Sequence, residues 1–178
     1  DDGFDDAKLD LPYEFKFDAQ QQQERYTEGG ALEGIVSEYV NRDLPSVYYY
    51  MSKQDRRKFI QNEINCVPYN NLTIPKNVSL DKDVTASLQR QQSETKFVYF
   101  KDCQKVHREK VCAAEIAYEE LLIDDVNKSR STIIEINEIL RRLKGWRQSP
   151  KKHVRIPGYD VQRISHERYD DPLGDYDD

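Results

Sequence analysis

The chain predicts a mainly α protein, an antiparallel helical hairpin or small bundle with extended N- and C-terminal arms. Three observations carry that expectation. Between Phe97 and Leu143 apolar residues recur every three or four positions, the spacing that lines them along one face of a helix. Hydrophobic residues make up 37% of the 178 and charged residues 34%, so the apolar material is expected in a few helices, with polar segments left to wrap or dangle. Neither end shows a period of 3.6 or 2.0, although both keep aromatic residues such as Tyr13, Phe15, Phe17, Tyr159 and Tyr169. The division that follows is an acidic, aromatic arm over 1–30, a helical domain over 31–147 with a long loop at about 65–84, and a second arm over 148–178.

Taken in order, the first helix lies in GALEGIVSEYVNRDLP, where Leu32, Ile35, Val36, Tyr39 and Val40 share a face and Pro45 marks the end. The second is expected from Ser46, as N-cap after the proline, to about Ile64, and carries Tyr48, Tyr49 and Tyr50 near its start. NCVPYNNLTIPKNVSLDKD, with two prolines, four asparagines and no periodicity, reads as a loop. From Ser87 onward an amphipathic helix is expected through Phe97, Phe100, Val106, Val111, Ala114, Tyr118, Leu121, Leu122 and Val126. It breaks at NKSRST. The next opens with Thr132 and Glu135 as a capping box and runs through Ile133, Ile136, Leu140 and Leu143 to RRLK and Gly145. So short a connection favours an antiparallel pair.

The net charge of -6 and the pI near 5.2 oppose general attraction to nucleic acid or anionic membranes. No apolar run approaches the roughly 18 residues of a membrane-spanning helix. DDGFDDAKLD resembles neither a secretory signal nor an arginine-rich transit peptide. The three cysteines, Cys66, Cys103 and Cys112, allow one disulfide with one free thiol, and the pairing stays open. The sequons at Asn71, Asn77 and Asn127 read as chance.

No enzymatic chemistry is legible. Cys103 and His107 share a face of the expected helix, but two ligands do not make a metal site, and neither a metal nor a cofactor is expected. Glu115, Glu119, Glu120, Asp124 and Asp125 read as a solvated acidic face or a salt-bridge surface for a basic partner. The nucleophile and nucleotide-binding motifs are missing, so no small-molecule substrate is expected. RRLKGWRQSPKKHVR at 141–155 combines seven Lys and Arg residues with Trp146, a mixture found at single-stranded nucleic-acid sites, yet the acidic balance makes nucleic acid the lesser partner.

Three tyrosines side by side cannot all enter one pocket. Tyr48, Tyr49 and Tyr50, with Arg56, Arg57 and Trp146, are therefore read as an interface for other protein subunits, since tyrosine and arginine dominate such surfaces. VSEYVNRDLPSVYYYMSKQDRRKFIQNEINC, residues 36–66, resembles a segment of the PDSW accessory-subunit family of mitochondrial respiratory complex I. In that family a tyrosine-rich run precedes paired arginines and then a cysteine, here Tyr48–Tyr50, Arg56 with Arg57, and Cys66. The segment from Cys112 to Trp146 is similar in character to the family's following helices. The resemblance implies a non-catalytic subunit, peripheral to the inner membrane on its intermembrane-space side, that holds other subunits of the membrane arm together. Family members bridge their helices with paired cysteines; three thiols and an insertion around 66–102 leave those bridges unassigned here. Two further readings stand beside it: a structural component of a cytoplasmic cytoskeletal or axonemal assembly, and an RNA-associated assembly factor using 141–155.

Overall fold

The computed structural model describes residues 30–91 and 94–169. The expected N-terminal arm, save residue 30, and residues 170–178 of the C-terminal one lie outside them. Of the described residues 46% are helical and 16% are in strands, and several small antiparallel sheets tie the helices together. The fold is mixed α/β. The expected mainly α hairpin or bundle with trailing arms is overturned, because much of the apolar spacing between the helices belongs to short paired strands.

Helix α1, residues 30–41, buries Val36, Tyr39 and Val40 at i, i+3 and i+4. Strand β1 (Leu44–Pro45) follows, then a 3-10 turn, Ser46–Tyr50. The single helix expected from Ser46 to Ile64 is in fact two pieces, broken where Met51 and Ser52 take extended conformations. Helix α2 (Lys53–Ile60) starts afresh, its N-cap Ser52 accepting from the Asp55 amide at 3.1 Å. The stretch expected as a loop holds strand β2 (Cys66–Pro68) and, at its far end, the start of helix α3 (Lys82–Arg90), which buries Val84 and Leu88.

The largest departure is at 97–111. Strand β3 (Phe97–Tyr99) pairs with β2, β4 (Lys105–Val106) pairs with β1, and β5 (Lys110–Val111) enters a three-stranded sheet. Beyond the end of α3, the long segment read as one helix is α-helical only at Ala113–Glu119, helix α4. Helix α5 (Arg130–Arg142) matches its expected register, burying Ile136, Ile139 and Leu140, and α4 packs against it. Its N-cap is Ser129 rather than a Thr132 capping box, and Gly145, at φ 82°, turns the chain into β6 (Trp146–Gln148).

Residues 148–169 are no arm. After β6 the chain makes a hairpin of β7 (Val154–Arg155) and β8 (Val161–Gln162), then β9 (His166–Arg168), which lies between β5 and β6 as the middle strand of their sheet. At the hairpin tip the Tyr159 amide donates to the Ile156 carbonyl at 3.0 Å. Pro157 and Gly158, at φ 81°, fill the central positions as a type II turn requires. Among the described residues no helix is long and apolar enough to cross a membrane.

Candidate functional site

The interior is not wholly apolar. Arg56, Arg108, Glu115 and Glu119 are each at most 1% exposed, and a buried charge is tolerated only when paired and hydrogen-bonded. Glu115 and Glu119 are four apart on α4 and so share its inner face. Glu115 caps the helix from within, its Oε2 accepting from the Cys112 amide at 3.0 Å. Its Oε1 faces two guanidinium groups, Arg108 Nη1 at 3.1 Å and Arg56 Nη1 at 3.6 Å. Arg108 comes from the loop between β4 and β5, which Arg168 braces by donating to the Arg108 carbonyl at 3.0 Å.

Glu119 collects tyrosine hydroxyls from three stretches of chain. Tyr39 of α1 donates to Oε2 at 2.9 Å, Tyr48 of the 3-10 turn donates to the same oxygen, and Tyr159 of the β7–β8 hairpin donates to Oε1 at 2.6 Å. The Arg108 guanidinium lies over the Tyr39 ring at 4.2 Å and donates to the Tyr48 hydroxyl at 3.2 Å. Burial raises the Tyr39, Tyr48 and Tyr159 hydroxyls well above their ordinary pKa, so all three remain donors. Burial likewise pushes the Glu115 carboxyl up to about 7, against the pull of Arg108.

Beside this network opens a cleft of about 600 Å³. Its floor includes Arg56, Glu115 and Tyr49; its walls come from the 3-10 turn, the β4–β5 loop, and Arg155 to Pro157 of the hairpin. Arg56 donates from Nε and Nη2 to the Tyr48 and Tyr49 carbonyls, both at 3.1 Å, which fixes its plane. A second groove, of about 430 Å³, lies where α4 and α5 meet the strand β8, lined by Ala114, Val126, Ile133, Val161 and Ile164 and flanked by Arg130 and Arg163.

The residues expected to form an interface divide. Tyr48, Arg56 and Trp146 are interior, at 2% exposure or less. Tyr49 and Tyr50 line the cleft half-buried, and Arg57 reaches across to Asp124 and the Leu122 carbonyl. In the basic 141–155 segment, Arg142 pairs with Glu33 at 3.0 Å and Arg147 with Glu167 at 2.8 Å. The three cysteines are free thiols, and burial raises Cys103 to about 11 and Cys112 further. Cys103 and His107 do not share a helix face, since neither is helical, and His107 Nδ1 is 2.7 Å from Asp43. Among the described residues no group of three metal-ligating side chains is assembled.

Glu115 and Glu119 are the principal correction to the solvated acidic face; Glu120 is half-buried, while Asp124 and Asp125 are exposed as expected. Arg108, Tyr39 and Tyr159 join them without having stood out in the sequence as polar groups of a site. The available signal was the apolar setting of Glu115, among Cys112, Ala113, Ala114, Ile116 and Ala117. Compared with known proteins, the chain matches no family model and no curated protein.

Proposed function

We propose that the chain is a non-catalytic, protein-binding subunit of a larger assembly. The observation that carries this reading is the groove between α4, α5 and β8. It exposes Val161 and Ile164 at 49% and 38% and places two arginines, Arg130 and Arg163, with no carboxylate partner among the described residues. At its floor Asn137, 7% exposed, donates from Nδ2 to the Ile133 carbonyl while its Oδ1 has no partner. An apolar strip with flanking cations and an unfilled acceptor fits an extended partner segment bearing aliphatic side chains, a carboxylate and a free backbone N–H. The buried network supports the non-catalytic part of the reading: Glu119 is held by three tyrosines and Glu115 by Arg108 and a backbone amide, so both serve to join elements.

The specific assembly we propose is the membrane arm of the mitochondrial respiratory complex, on the motif likeness of Tyr48–Tyr50, Arg56 and Arg57. The test is native-gel fractionation of gently solubilised membranes, with the chain located by mass spectrometry. Wild-type protein is expected in a high-mass assembly, and the double variant Arg130→Glu/Arg163→Glu is expected as a free species with an unchanged melting temperature. Co-migration with the respiratory complex supports that assignment. A wild-type chain that migrates alone, or a double variant that stays in the assembly, overturns the reading.

A further inference from the structure

We propose that the cleft beside the buried network is a binding site for a small organic oxyanion, a carboxylate or phosphate group on an apolar body. The site is separate from the protein-binding groove and does not depend on it. Two buried donors on the cleft floor are unfilled. Arg56 is fully buried; its Nη1 has no hydrogen-bond partner, Glu115 Oε1 at 3.6 Å being beyond bonding reach. The Tyr49 hydroxyl is also buried without a partner, and burial holds it up to about 12, so it remains an O–H donor at neutral pH. Buried donors are almost always satisfied, and a guanidinium edge beside a hydroxyl is suited to the oxygens of a carboxylate or phosphate.

Charge around the cleft favours the same occupant. Lys110 and Arg155 stand on its walls with no salt-bridge partner among the described residues. Of the two lining carboxylates, Glu115 is committed to Arg108 and the Cys112 amide, which leaves Glu109 alone to oppose the cations. His107 at the edge is held by Asp43. A locally positive cleft in a chain of net charge -6 attracts an anion that the rest of the surface repels.

The remaining walls explain why the anion should carry a body. Tyr50, Pro75, Val106, Ile156 and Pro157 supply apolar surface, and about 600 Å³ is within the range of small-molecule sites. Gly158 lies beside the guanidinium: a Cβ there would sit 3.6 Å from Arg56 Cζ, an ordinary van der Waals distance, so the hairpin tip adjoins Arg56.

The test is calorimetric titration of the full chain with phenyl phosphate, benzoate and inorganic phosphate at one low ionic strength. Saturable binding of phenyl phosphate or benzoate, tighter than inorganic phosphate, is expected, and the tighter of the two identifies the head group. Tyr49→Phe should weaken it about thirtyfold, the worth of one hydrogen bond to a charged acceptor. Arg155→Gln should weaken it about tenfold through a lost charge-assisted contact. Both variants keep Arg56 and Glu115 and should retain the wild-type melting temperature. Failure of both organic probes to bind, or binding unchanged in both variants, overturns the proposal.

Discussion

Glu119 shows how much one side chain joins. It accepts hydroxyl hydrogen bonds from Tyr39, Tyr48 and Tyr159, which lie 80 and 71 positions before it and 40 after it. Removing it strands those three hydroxyl donors, so Glu119→Ala is expected to cost roughly 3–5 kcal/mol, the penalty of leaving several buried polar groups unsatisfied. Tyr159→Phe removes a single bond to a charged acceptor and should cost about 2 kcal/mol. Urea unfolding at neutral pH separates the two, and equal, small losses would contradict the network. The sequence does not distinguish Glu119 from Asp124, because both sit in one acidic run. What separates them is a set of tyrosines and an arginine brought from elsewhere in the chain.

Among the elements, helices α1 and α5 are legible and the strands are not. Helix α5 runs 13 residues, long enough for Ile136, Ile139 and Leu140 to declare a face, and its hydrophobic partners Ile133 and Leu143 continue it. Strands of two or three residues offer no period to read. Phe97 and Phe100 stand three apart as on a helix, but Val106 and Val111 follow at gaps of six and five, and the four belong to β3, a 3-10 turn, β4 and β5. The hairpin and β9 were equally hidden, their Pro, Gly and polar content resembling an unstructured arm. Deleting residues 149–178 tests the difference: it removes the middle strand of the three-stranded sheet and the Tyr159 donor to Glu119. The truncated chain is expected to lose its cooperative urea transition, whereas a chain with a mere arm there would keep the wild-type melting temperature.

For the molecule as a whole, two buried groups act on stability in opposite directions. Glu115 is raised from its ordinary 4.5 to about 7, chiefly by burial, so its contribution is complete below pH 4.5 and is lost as pH rises through about 7. His166 is lowered from 6.5 to about 4, by burial and then by Arg141, so its contribution is complete above pH 6.5 and is lost as pH falls through about 4. Over the shared window the two contributions run in opposite directions and largely offset each other. Neither ring nitrogen of His166 has a hydrogen-bond partner, so His166→Leu loses no bond. That variant should show stability falling with rising pH by up to about 1.4 kcal/mol per unit. A thermal-melt series across the window checks this, and a flat profile for the variant would refute it. Residues a few positions apart were enough to determine α1, α5, the low apolar content and the acidic balance, because helix faces and net charge depend on short spacing and composition alone. Which charges are buried, how 97–111 divides into strands, and where the cleft opens were decided by contacts as distant as Arg168 with the Val40 carbonyl, 128 positions apart. Such pairing leaves no periodic trace in a chain, since its energy comes from burying groups that only the folded arrangement brings together.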